Sequence, residues 1–131
     1  LGDIVRLSFK GRPVIPGYVE GEAIVVDSIS FYGDVRVEDG LLPDGRSISG
    51  KIIISRRGKG STVGPYILYA LKSRGLAPKA ILLASRSDPV IVSGAVIAEV
   101  ILVDSLPEDI VKLTRDGDRV RVYSDGSIII A

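Results

Sequence analysis

KIIISRRGKGSTVGPYILYALKSRG, residues 51–75, is the stretch on which the fold turns. Ile52, Ile53 and Ile54 are consecutive, β-branched and apolar, and they predict a buried strand over Lys51–Ser55. Arg56 to Gly60 reads as a loop. Ser61 or Thr62 is a ready N-cap for a helix that runs to about Arg74. Pro65 falls in its first turn, where a missing N–H costs little. Ile67, Leu68 and Leu71 share one face at helical spacing. Lys72 and Arg74 suit the negative end of the helix dipole, and Gly75 supplies the stop. Strand, glycine-rich turn and helix in that order make an α/β unit.

The flanks extend the pattern. Upstream, strands are expected over Ile4–Phe9, Arg12–Ile15 and Glu20–Asp27, the last through the buried run Ala23-Ile24-Val25-Val26. Ser28 to Leu42 reads as a loop with room for a short strand at Val35–Val37, and Pro43-Asp44-Gly45 as a turn. Downstream, Lys79–Ala84 and Glu99–Val103 read as strands. Ser87-Asp88-Pro89 opens a short helix reaching about Ala95, and Ser105-Leu106-Pro107-Glu108 opens another that ends at Asp116-Gly117. Arg119–Tyr123 and Ser127–Ile130 form a hairpin about Asp125-Gly126. The expected architecture is one α/β domain over residues 1–131, with a β-rich, barrel-like core and two or three helices on one side.

Composition narrows the chemistry. The chain of 131 residues contains no Cys, His, Met, Trp, Asn or Gln. Without Cys or His it offers no thiolate or imidazole to a metal, no thiol nucleophile and no histidine base. Loss of the thermolabile residue types fits a thermophile source. The longest apolar runs are far shorter than the roughly 20 residues a membrane helix needs. No secretory signal is visible at Leu1, so a cytoplasmic protein is expected. The net charge of +1 argues against general nucleic-acid binding. Charge is nevertheless segregated: Gly45 to Ser87 holds nine basic residues and no acidic one (Arg46, Lys51, Arg56, Arg57, Lys59, Lys72, Arg74, Lys79, Arg86). Such a window is either a positive face for an anionic partner or a set of cations compensated in space by acids from elsewhere.

Three segments are candidate sites. Gly58-Lys59-Gly60-Ser61-Thr62 leads into a helix N-terminus, where free N–H groups favour carboxylate or phosphate. Its glycines let a ligand approach the backbone, and Ser61 offers a hydroxyl. The spacing is not that of a Walker A loop. The competing reading is a serine that only caps its helix. Ser30-Phe31-Tyr32-Gly33 reads as a hydrophobic plug over the core. Ser87-Asp88-Pro89 sits where α/β sites often lie, and reads more readily as a helix cap.

Taken in order, Gly11-Arg12, Pro16-Gly17, Glu20-Gly21-Glu22-Ala23, Ser30-Phe31-Tyr32-Gly33, Gly50 to Ile54, Gly58 to Thr62 and Ser87-Asp88-Pro89 resemble the small subunit of the aconitase X family. The likeness runs over about residues 11–104. It implies a swivelling β/β/α domain in a heterodimer with a large aconitase-like subunit that holds a 4Fe–4S cluster. It implies that Ser61 is the base removing a proton beside the substrate carboxyl, with Lys59, Gly60, Thr62, Arg56 and Arg57 around the substrate. Val63-Gly64-Pro65 follows Thr62 where many superfamily members carry Arg-Glu-His, so the contacts of that arginine must come from the basic residues named or from the partner. Two-subunit archaeal members imply dehydration of phosphomevalonate to trans-anhydromevalonate 5-phosphate, a phosphorylated hydroxy acid. Bacterial relatives imply cis-3-hydroxyproline instead. Read without the partner, the same basic turn suits a non-catalytic domain that binds a small anion.

Overall fold

The computed structural model describes residues 7–58 and 64–131. Its strands are β1 (Leu7–Lys10), β2 (Arg12–Ile15), β3 (Val19–Ile29), β4 (Ile52–Gly58), β5 (Ala80–Leu83), β6 (Ile101–Asp104), β7 (Arg119–Val122) and β8 (Ser127–Ile130). Its helices are α1 (Phe31–Asp34), α2 (Gly64–Ser73), α3 (Pro89–Ala98) and α4 (Asp109–Leu113). The strands form one mixed sheet in the order β1-β8-β7-β3-β4-β5-β6-β2.

The middle of the sheet is parallel. β3, β4, β5 and β6 lie side by side in chain order, with Ile52, Ile53 and Ile54 paired to Ala23, Ile24 and Val25 on one side and to Ala80, Ile81 and Leu82 on the other. Their connections pass through α1, α2 and α3. Crossovers of one hand between strands in sequential order deliver every helix to the same face. Phe31, Leu68, Leu71, Ile91, Ala95 and Ala98 from these helices accordingly pack with Ile24, Ile53, Ile81, Leu83 and Leu102 in one core layer. The strand period of two sends Ile52, Ile54, Ala80, Leu82 and Val103 to the opposite face, where they meet Val120, Val122, Ile128, Ile130 and Ile110 of α4. Both faces of the parallel strands are thus covered, which is why they read as unbroken apolar runs. β7 and β8 have one wetter face and alternate instead.

The expected barrel is an open sheet. Among the described residues no ladder joins β1 to β2, its two edges. They are nonetheless consecutive in the chain, separated by Gly11 alone. The sheet therefore curls until one residue bridges its edges. Gly11 donates its N–H to the Gly126 carbonyl at 2.9 Å. A Cβ there would lie 2.7 Å from the Asp104 carbonyl oxygen, from Val103 Cγ1 and from Leu106 Cδ2. Pro13, without an N–H, suits the edge strand β2, whose register with β6 shifts between Pro13 and Ile15.

Other expectations shift for physical reasons. The segment expected as a loop after β3 contains α1, capped by Ser30 and seating Phe31 in the core, and Val35 to Val37 form no strand. Helix α3 continues to Ala98 despite its Val and Ile content, because burial of Ile91, Gly94, Ala95 and Ala98 overrides a weak propensity. Helix α4 stops at Leu113, short of Asp116-Gly117, and packs on the face opposite to α2 and α3. Arg56 and Arg57, expected in a loop, belong to β4, which runs on to Gly58 beside Ile29.

Candidate functional site

The carboxyl ends of β3, β4, β5 and β6 lie along one rim of the sheet, and each passes its chain to a helix or turn there. In open α/β sheets this rim is where ligands bind. The segment 59–63, which carries Lys59, Gly60, Ser61 and Thr62, joins β4 to α2 and lies outside the described residues. Its surroundings are described. Gly58 is half-buried, and a Cβ on it would come within 3.2 Å of Ile91 Cδ1 in the first turn of α3. Gly94 of α3 packs against Pro65 and Leu68 of α2. The starts of α2 and α3 therefore flank the end of β4 closely.

The last residues of β4 divide their work by face. The buried Ser55 hydroxyl donates to the Arg57 carbonyl at 2.8 Å and lies 3.3 Å from that of Asp27. Arg56 points to the α4 side, where its Nε donates to Asp27 Oδ1 at 3.1 Å and its guanidinium pairs with Glu108 at the start of α4. Arg57 is exposed and makes no ion pair among the described residues. Adjacent strand residues face opposite ways, so the two arginines do not act together.

The loop after β5 is pinned by a buried carboxylate. Asp104, at the end of β6, is fully buried. It accepts two hydrogen bonds from Arg12, from Nε at 2.8 Å and Nη2 at 2.6 Å. It also accepts from the Ser87 N–H at 2.8 Å, the Ser87 hydroxyl at 2.7 Å and the Ser105 hydroxyl at 3.1 Å. Burial opposes its ionisation, but the Arg12 guanidinium and these donors prevail and hold the carboxyl well below the usual range. One residue on from Ser87, Asp88 caps α3 by accepting the Ile91 N–H at 2.8 Å, and Pro89 occupies the first turn. Ser87-Asp88-Pro89 is thus both a cap and part of the rim. The Asp104 network escapes sequence reading, since Arg12 and Asp104 stand 92 positions apart. The available signal was an aspartate ending the apolar strand Ile101-Leu102-Val103.

The basic window is compensated in part. Arg46 pairs with Asp44 and Asp116, Lys51 with Glu22, and Arg56 with Asp27 and Glu108. Arg57 and Arg86, both exposed at the rim, have no ion-pair partner among the described residues. Neither have Lys72 and Arg74, at the far end of α2. Among the described residues no three acidic, histidine or cysteine side chains converge as metal ligands, and no helix is long and apolar enough to cross a membrane.

The family described as aconitase X swivel domain matches residues 8–130. The phosphomevalonate dehydratase small subunit of Aeropyrum pernix is 46% identical over 122 residues, which cover 93% of this chain and 92% of that one. Its namesake from Thermococcus onnurineus is 42% identical over 130 residues, covering 94% and 97%. The crystal structure of Thermococcus kodakaraensis aconitase X in its holo-form superposes with a TM-score of 0.86 at 38% identity, over 96% of this chain and 99% of that one.

Proposed function

The chain belongs to the aconitase X swivel-domain family, and on that premise we propose that it is the small subunit of a heterodimeric hydro-lyase that dehydrates (R)-5-phosphomevalonate to trans-anhydromevalonate 5-phosphate. The observation that carries this reading is similarity over more than nine-tenths of both chains to relatives named phosphomevalonate dehydratase small subunit. The β4–α2 joint gives it a chemical centre.

Dehydration removes a proton from the carbon beside the carboxyl and a hydroxyl from the next carbon. The electron pair of the broken C–H bond becomes the second bond of the alkene, while the hydroxyl departs with the C–O pair and takes up a proton to leave as water. Ser61 takes the proton. A serine hydroxyl does this only as its alkoxide, which needs positive potential nearby. Lys59 supplies charge, and the free N–H groups at the start of α2 supply dipole. Gly60 and Thr62, neighbours of the serine in the sequence, and Arg57, near the end of β4, bind the anionic substrate in this proposal. Arg56, engaged by Asp27 and Glu108, ties β4 to α4 and so fixes where the segment begins.

A 4Fe–4S cluster does not fit this chain, which has neither Cys nor His, and its described residues offer no alternative ligand set. The cluster belongs to the large subunit in this proposal. Docking of the two chains completes the site and excludes water from it.

The test is reconstitution with the large subunit and an assay of phosphomevalonate dehydration. Ser61→Ala should lower kcat by about a thousandfold, the middle of the range for a lost acid–base group, with complex formation unchanged by gel filtration. Full activity of that variant would remove Ser61 from the mechanism. Turnover of cis-3-hydroxyproline in place of phosphomevalonate would replace the substrate.

A further inference from the structure

The loop between β5 and α3 is clamped at two points around one exposed arginine. On one side of Arg86, the Ser85 carbonyl accepts the Ser105 N–H at 3.0 Å. On the other, Ser87 gives both its N–H and its hydroxyl to the buried Asp104 carboxylate at 2.8 and 2.7 Å. Both clamps draw on the turn that ends β6. The Arg86 backbone is thereby held from both sides while its side chain remains exposed. A fully buried carboxylate is a costly device for shaping a solvent-exposed loop. It is well suited to presenting a cation in a fixed place.

That place lies on the rim at which β4 ends, before the proposed catalytic segment. β4 and β5 are neighbouring parallel strands with Ser55 opposite Leu83, so Arg57 and Arg86 leave the same rim of adjacent strands. Asp88, two residues past Arg86, caps the turn of α3 whose Ile91 meets Gly58, the residue before the segment 59–63. The Asp88 carboxylate is occupied by the Ile91 N–H.

We propose that Arg86 is the anchor for the phosphate end of the substrate, with Asp104 as the positioning residue that holds it there. The inference rests on the phosphorylated-substrate reading above. A guanidinium matches two phosphate oxygens with parallel N–H donors, which lysine does not. Arg86 thereby separates phosphorylated from unphosphorylated hydroxy acids at a point remote from the reacting carbons. Loss of such a group should raise KM and leave kcat near its original value.

The experiment uses the reconstituted heterodimer. Arg86→Ala should raise KM for phosphomevalonate by about ten- to a hundredfold, with kcat little changed. Its selectivity over unphosphorylated mevalonate should fall by the same factor. Arg86→Lys should recover part of the loss. Ser87→Ala, which removes one of the two hydrogen bonds that Ser87 gives Asp104 and leaves the backbone pin, should give a smaller rise in KM. A general loss of structure would lower kcat and melting temperature instead and leave selectivity unchanged, and that pattern would overturn the assignment. Calorimetric titration of the same complexes with inorganic phosphate reads the anchor without turnover. Weaker phosphate binding by Arg86→Ala supports it even if phosphomevalonate is not the substrate. Equal phosphate binding by the two complexes overturns it, whichever substrate is turned over.

Discussion

Asp104 is the residue on which the rim depends. Its charge is buried and satisfied by Arg12, Ser87 and Ser105. Replacing it with Asn leaves Arg12 without its counter-charge and should cost about 3 kcal/mol at neutral pH, the lower part of the range for breaking a buried pair because Arg12 is partly exposed. Urea unfolding measures this. The pH dependence has a definite sign. The folded carboxyl titrates below its unfolded value of about 3.9. Its stabilisation is therefore complete above about pH 4, and it is lost as the pH falls through the lowered folded value. The melting temperature of the wild-type chain should drop on acidification below about pH 4, and that of Asp104→Asn should drop less. Ser61 could be singled out because glycines precede it between an apolar strand pattern and a helical one in the sequence. Asp104 was not, because Arg12 and Ser87 reach it from segments 92 and 17 positions away.

At the scale of elements, β4 and α3 set the site. Lys51 to Ser55 was readable as a strand, but Arg56, Arg57 and Gly58 carry it further. Arginines look like loop residues when only their polarity is weighed. They extend the strand because β3 is long enough to pair as far as Gly58, and because Arg56 finds Asp27 and Glu108. Helix α3 has Asp88 as its cap and no charged residue along its length. Asp88→Ala should cost about 1 kcal/mol, the usual loss for a vacated N-cap. Thermal denaturation of the isolated chain checks this. Because the same turn touches Gly58 through Ile91, the variant should also weaken activity in the heterodimer more than its stability loss alone explains.

Over the whole molecule, the sheet is held in its curl at Gly11. No side chain fits between the Asp104 carbonyl, Val103 and Leu106. Gly11→Ala forces the two sheet edges apart or distorts β6, and should destabilise the chain by about 3 kcal/mol, at the upper end of overpacking costs. A lowered urea midpoint at unchanged m-value is the expected signature. The shift reaches the site too, since β6 ends in Asp104, which holds the Ser87 loop.

The sequence by itself determined the elements whose cues are local. These are the isoleucine run of β4, the Pro65 start and Gly75 stop of α2, the Asp125-Gly126 hairpin, and the want of Cys and His that withholds thiolate and imidazole ligands from this chain. Such cues depend on propensity and spacing within a few residues. Only the tertiary structure decided that the core is an open sheet with edges joined at Gly11, that α4 covers the face opposite to α2 and α3, and which of the described cations in the basic window lack an ion pair. Those facts depend on side chains up to about a hundred positions apart meeting in space. No local pattern specifies that Arg56 is neutralised by Asp27 and Glu108 while Arg57 and Arg86 are left at the rim. The reason is geometric: a strand turns neighbouring residues to opposite faces, and only packing decides what waits on each.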